Sequence, residues 1–166
     1  MSVIFKMVSH KEKLKFNRDC TFHTQSCKHL NNVETAIYKY PIKHTGAGEP
    51  LWSSKPHSVQ NEKKIIVSRS GYLNAIYDDG KLGVSQDAFY IKVSSQKEST
   101  YIIKLIDSKL YRWFLNINKW SGFNHPGVFG QLPYPKGLPD NFTDTDLYNY
   151  FNLTADEIAL VEETIK

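Results

Sequence analysis

Apolar and polar positions change period along this chain, and the changes divide it into strands, loops and helices. Residues 2–8, SVIFKMV, form a short apolar run that predicts a strand. SHKEKLKFNRD, which follows, is polar and charged and predicts a loop or a short helix. TAIYKYPIKHT, 35–45, is rich in β-formers and roughly alternating. Pro41 inside it cannot donate to a ladder, which places this strand at an edge or ends it. Residues 46–62 carry Gly, Pro and Ser with little apolar content and predict a long loop. KKIIVSR, 63–69, is a strand with a continuous apolar centre. YLNAIYD, 72–78, is a second strand, and DDGK, 78–81, is a turn in which Asp-Gly favours positive φ. DAFYIKV, 87–93, is a third strand.

From Thr100 to Ile117 the period becomes helical, with Ile102, Ile106, Leu110, Trp113 and Ile117 on one stripe, widened by Leu105 and Phe114. The Asp-Ser pair at 107–108 can split this stretch into two helices, because both residues favour caps. Residues 119–139 hold four glycines and four prolines and predict irregular chain. TDTDLYNYF predicts a short helix. Thr154 with Glu157 three residues later is a capping box opening a final helix, with Ile158, Val161 and Ile165 on one face.

A length of 166 residues suits one domain, 1–166, whose first fifty residues are its least certain part, read as N-terminal strands and loop. At 40% hydrophobic and 13% aromatic, the chain can bury a core and is not a disordered tail. No run of eighteen apolar residues marks a membrane span, and the opening residues lack the pattern of a secretory signal. Two cysteines, Cys20 and Cys27, are too few for a disulfide framework and fit a reducing cytoplasm, or a host cell's cytoplasm if the source is viral. Charge is unevenly distributed: residues 1–136 carry a net +10, residues 137–166 a net −6. A basic body with an acidic end points to a polyanion on the body. Charge alone equally fits a domain whose acidic C-terminal helix faces water.

Cys20, His23, Cys27 and His29 have the right chemistry for zinc, but their spacings match no established zinc pattern. Asp78, Asp79 and Asp87 lie around a predicted hairpin and could serve a small Mg²⁺-dependent restriction-type nuclease, yet no Asp/Glu-x-Lys falls on a strand. SRSG lacks the leading Gly of a nucleophile elbow, and GAGEPL has no strand–loop–helix context for phosphate or dinucleotide binding. Histidines such as His44, His57 and His125 sit in predicted loops, where surface roles predominate. Neither catalytic nor metal residues are assigned. What remains is basic and aromatic residues on loops: Lys and Arg neutralise phosphates, Ser, Asn and backbone N–H groups fix register, and Arg, Asn and Gln read base edges. The candidate DNA-binding residues are Lys43, Trp52, Ser53, Ser54, Lys55, Lys63, Lys64, Arg69, Ser70, Tyr72, Lys81, Lys119, Trp120, Ser121, Asn124 and His125.

Three stretches together carry a family resemblance: KKIIVSRSGYLNAIYDDGKLGVSQDAFYI, LIDSKLYRWFLNINKWSGFNHPGVFGQLPYPK and YFNLTADEIALVEETI. In their order the chain resembles, over about residues 52–166, the target-recognition part of adenine-specific DNA methyltransferases of restriction–modification systems. The resemblance implies an α+β (mixed α/β) fold: a twisted sheet with a hairpin, helices packed on one side and a closing C-terminal helix. It also implies that the hairpin and loops 45–62 and 119–130 face double-stranded DNA. An NPPY-like motif and a Gly-rich S-adenosylmethionine motif are not in this sequence. The resemblance therefore implies recognition without methyl transfer, and no cofactor in this chain. S-adenosylmethionine would belong to a partner or a missing catalytic domain. A methyltransferase or nuclease domain or subunit is the expected protein partner, whether the chain is a fragment or a separate specificity subunit. Two other readings remain open: the Mg²⁺-dependent nuclease, and a protein-interaction module whose acidic helix docks on an enzyme.

Overall fold

A computed structural model describes residues 2–21, 27–44, 48–69, 74–119 and 125–165. The fold is α+β and ends in a helix. The chain forms two compact units, one of Phe16–Ile103 and one of Met1–Lys15 with Lys104–Lys166.

All described strands lie in the unit Phe16–Ile103: β1 (Leu30–Asn31), β2 (Tyr40–Lys43), β3 (Leu51–Ser53), β4 (Lys64–Ser68), β5 (Ala75–Asp78), β6 (Gly83–Val84) and β7 (Ala88–Lys92). They make two sheets, ordered β1-β3-β2-β6 and β5-β4-β7. In the second sheet both neighbours of β4 run antiparallel to it, with Ile66 opposite Ile76 on one side and Tyr90 on the other. Every residue of β4 is buried. Ile66, Val84, Ala88, Tyr90 and Val59 form a core cluster, with Ile76 and Leu82 packed against it.

Two expectations are corrected here. The stretch 46–62 is not one loop, because Leu51–Ser53 pairs with both β1 and β2. β2 is not an edge strand, since β3 and β6 flank it. Pro41 lies opposite Trp52 of β3, and the parallel pairing to β6 begins only at Ile42. The carbonyl of Pro41 accepts from Gln60 Nε2 at 3.5 Å.

Helices build the other unit. α1 (Val3–Val8) stands where a strand was expected. Ser2 caps it by accepting from the Phe5 N–H, and Val3 and Met7, four residues apart, are its buried face. SHKEKLKFNRD is neither helix nor free loop. Its residues make isolated bridges, Lys13 to Pro133 within this unit and Asn17 to Tyr90 within the sheet unit. α2 (Gln96–Asp107), whose residues up to Ile103 belong to the sheet unit, starts four residues earlier than the apolar stripe indicates. Ser108 then splits the helical stretch as its sequence predicts, capping α3 (Lys109–Ile117) through the Tyr111 N–H. Among its described residues the glycine- and proline-rich stretch contains a short helix, α4 (Pro126–Phe129), with Pro126 at its first turn. Capping boxes open both α5 (Asp144–Tyr150), with Thr143 and Asp146, and α6 (Ala155–Thr164), with Thr154 and Glu157.

α3 packs on α5 and α6. Tyr148 Oη donates to Glu162 Oε1 at 2.8 Å, the Lys109 ammonium binds the same carboxylate, and the Lys109 N–H donates to Asp144 at 2.9 Å. Burial, then the hydrogen bond to Glu162, pushes the Tyr148 phenol above its ordinary range. Among the described residues no helix is long and apolar enough to cross a membrane.

Lys64 is the one charged residue of β4, and its side chain is wholly buried. It donates to Asp78 Oδ2 at 2.6 Å, Val59 O at 2.8 Å and Glu62 O at 3.0 Å, which uses its three N–H groups. Truncating Asp78 leaves an uncompensated buried ammonium, a defect that typically destabilises by about 3–5 kcal/mol. Asp78→Ala is accordingly expected to lower unfolding free energy by that amount in urea titration; a loss under about 1 kcal/mol would contradict the burial of the pair.

His57 is also buried, its side chain fully out of solvent. Nδ1 accepts from the Val59 N–H at 3.2 Å, which assigns the proton to Nε2, 3.4 Å from Asp19 Oδ2. Burial lowers the His57 pKa; Asp19 works against this and Lys64 with it. The folded state thus holds the ring neutral where the unfolded chain takes up a proton below about pH 6.5, so stability falls as pH drops through that value. Asp19 titrates lower still: burial raises its carboxyl, but hydrogen bonds from Thr21, with His57 and Ser58, bring it below the ordinary carboxylate value. His57→Asn keeps an acceptor for the Val59 N–H and removes the titration. Between pH 7 and pH 5 the wild type is expected to lose melting temperature more steeply than His57→Asn; parallel profiles would refute this.

Candidate nucleic-acid interface

The ends of four strands meet around one turn, Ser85–Asp87. β2 and β6 end there side by side, with Ile42 opposite Gly83 and the Ser85 N–H donating to Lys43 O at 3.0 Å. β4 ends and β7 begins there, with Ser68 opposite Ala88 and the Arg69 N–H donating to Asp87 O at 2.9 Å. Gly83 is required for this approach. A Cβ at that position would lie 2.4 Å from Ile42 Cδ1 and 2.5 Å from His57 Cβ.

Three basic side chains are held at this turn, and a fourth, Lys43, lies beside it. Arg69 Nη1 lies 3.8 Å from Asp87 Oδ1. His44 Nδ1 lies 2.9 Å from Ser85 Oγ and 3.7 Å from Asp87 Oδ2. Arg18 donates through Nε to Gln86 O at 2.9 Å. Lys43, at the end of β2, donates to Gly48 O at 2.7 Å. The turn itself is fixed by Ser85 Oγ, which is buried and accepts from the Asp87 N–H at 3.1 Å.

The remaining sequence candidates are distributed unevenly. Trp52 is half-buried on β3, opposite Pro41. Ser54 is half-buried and held to His29, its N–H donating to His29 O at 2.9 Å. Lys55 and Lys63 are exposed; so is Lys81, 3.2 Å from Asp79. Lys119 and His125 are exposed in the helical unit, where His125 caps α4 through the Gly127 N–H. Two candidates are corrected. Lys64 is buried with its donors spent on Asp78, Val59 and Glu62, and Ser53 is buried with its Oγ accepting from the Lys55 N–H. Neither can reach a phosphate. Ser70, Tyr72, Trp120, Ser121 and Asn124 lie outside the described residues, as does His23 of the possible zinc set.

Sequence reading missed Arg18, Ser85 and Gln86, and treated His44 as an ordinary surface histidine. The available signal was Ser-Gln-Asp after Gly83-Val84, because a Ser hydroxyl commonly accepts the N–H two residues on.

The arrangement is not a Ser-His-Asp triad. In a Ser-His-Asp triad the hydroxyl and the carboxylate use opposite ring nitrogens. Here Ser85 and Asp87 both face Nδ1 of His44, and Ser85 is buried. Of the three carboxylates of the nuclease reading, Asp79 is exposed beside Lys81 and the other two are engaged within the protein. Asp78 is neutralised by Lys64 and accepts from the Gly80, Lys81 and Leu82 N–H groups, while Asp87 lies between Arg69 and His44. Among the described residues no three His, Cys, Asp or Glu side chains are grouped to share an ion. A separate cleft of about 410 Å³ in the helical unit is lined by Lys104, Asp107, Asn141 and Phe142. Burial pushes the Asp107 carboxyl up, and Lys104 lies 4.8 Å from the centre of the Phe142 ring.

Comparison with protein-family models and with curated proteins finds no match to this chain.

Ser85→Ala removes the acceptor of the Asp87 N–H and the hydroxyl that orients His44. It is expected to reduce unfolding free energy by about 1–3 kcal/mol in chemical denaturation, and an unchanged midpoint would show that the hydroxyl does not hold the turn.

Proposed function

We propose that this chain is a sequence-specific double-stranded DNA recognition module of a restriction–modification system of the adenine-methyltransferase type, with no methyl transfer of its own. The observation that carries the reading is the gathering of Arg18, His44 and Arg69, from three separated segments, at the single turn Ser85–Asp87, to which Lys43 is tied through its backbone carbonyl. Fixed cations on a rigid strand-end frame are what a phosphate backbone requires, and Arg or His beside them can read base edges. Exposed Lys55 and Lys63, in the same unit, add charge that attracts a polyanion. Restriction–modification as the setting rests on the resemblance of residues 52–166. A methyltransferase partner or domain would supply S-adenosylmethionine chemistry, and the cytoplasm is where such a module would work.

Selection from a random duplex pool at low salt tests the reading directly. One sequence class is expected to be enriched, with affinity falling steeply as salt rises and a log–log slope near −0.9 per phosphate contacted. No enrichment, or salt-independent binding, would remove the proposal.

A further inference from the structure

The Ser85–Asp87 turn combines a surplus of positive charge with one carboxylate in an unusual position. Its two oxygens face two different side-chain nitrogens, Arg69 Nη1 at 3.8 Å and His44 Nδ1 at 3.7 Å. Both distances exceed the 2.7–3.2 Å typical of an N–H···O hydrogen bond. Asp87 therefore balances charge in these two contacts without forming close hydrogen bonds to either group. Its backbone, by contrast, is firmly held: the N–H donates to Ser85 Oγ at 3.1 Å, and the carbonyl accepts from the Arg69 N–H at 2.9 Å. The side chains of Arg69, Asp87 and His44 are 28%, 22% and 30% exposed, so solvent reaches all three. Arg18 spends one of its five N–H donors on Gln86 O, and Lys43 ends the neighbouring strand.

We propose that this turn is a phosphate subsite, and that the Asp87 carboxylate is the resident anion whose place beside Arg69 and His44 a phosphodiester oxyanion takes. A tetrahedral oxyanion presents pairs of oxygens much as a carboxylate does, and Arg forms bidentate contacts with either. Asp87 then has two effects. It keeps Arg69 and His44 oriented before the ligand arrives, and its negative charge opposes every anion that binds. The inference rests on the DNA-binding reading for the source of the phosphate, while the shared chemistry is that of any accessible phosphate group.

The test uses the full chain with two substitutions, Arg69→Gln and Asp87→Asn, and two probes, a duplex pool and inorganic phosphate. Duplex binding is followed from 50 to 300 mM salt, and phosphate binding by NMR of the histidine rings. Arg69→Gln is expected to weaken duplex binding and reduce the salt slope by about one unit. Asp87→Asn is expected to tighten binding about fivefold at low salt, the effect of removing one like charge near 4 Å in a water-like dielectric. Melting curves within a few degrees of wild type establish that both variants are folded, and the phosphate titration of the wild type stands independently of them. Wild-type duplex binding left unchanged by both substitutions overturns the subsite and leaves the DNA reading standing. Absence of duplex binding, with inorganic phosphate shifting the His44 ring in wild type but not in Arg69→Gln, keeps the subsite and removes DNA as its source. Failure of both probes overturns both.

Discussion

The buried ion pair between Lys64 and Asp78 is the constraint on which the sheet unit depends. An ammonium and a carboxylate out of water are tolerated only when their hydrogen-bonding capacity is met. Lys64 meets its own by binding Asp78 and the carbonyls of Val59 and Glu62. Asp78 meets its own by accepting, besides Lys64, from three successive backbone N–H groups, Gly80, Lys81 and Leu82. One pair thus fixes the central strand to the turns on both sides of it. Gly80 adopts φ +108°, and a Cβ there would lie 3.2 Å from the Asn61 backbone, so the two turns are packed against one another. Because Leu82 is held, Gly83–Val84 is delivered to β2 as a parallel neighbour. That pairing sets Ser85 against Lys43, and Ser85 in turn fixes Asp87. The placement of the basic cluster therefore descends from a charge that no ligand can reach.

The parts of this fold that were legible in the sequence are those whose signal is local. The capping box at Thr154, the Ser108 break and the Asp-Gly turn are each encoded within four residues, and each is present. The strands β4 and β7 have enough consecutive apolar residues to declare themselves. Strands of two or three residues, such as β3 and β6, carry no period, and only their partners make them strands. The start of the chain fails for another reason. Val3, Ile4, Phe5, Met7 and Val8 satisfy a strand or a helix equally well, and the choice falls to the Ser2 cap with the burial of Val3 and Met7. Ile4, Phe5 and Val8 stay exposed, so the apolar run overstates what is buried.

The candidate site was legible only in outline. Lys63 and Lys64 are adjacent and chemically identical, yet one is exposed and the other is among the most buried side chains present. Composition cannot separate them. Arg69 was identifiable as a cation beside a bend, but its relation to Asp87 comes from strand register across β4 and β7. Arg18 and His44 reach the same turn from segments far apart in sequence, which periodicity cannot reveal.

Net charge is a poor guide here because charges differ in how they are spent. The sheet unit contains eleven Lys and Arg against eight Asp and Glu, a small surplus. Lys64 and Asp78 cancel each other inside the protein and contribute almost nothing to the field in solvent. The exposed pairs Lys81–Asp79 and Lys92–Glu62 are screened and weak, so their cations remain open to exchange. Asp19 is tied down by Thr21 and Ser58 as well as by His57. Asp87 lies at the strand ends between Arg69 and His44, at 3.8 and 3.7 Å. The charge that the sheet unit presents to solvent therefore depends less on the count of lysines than on which of them are paired, and how deeply.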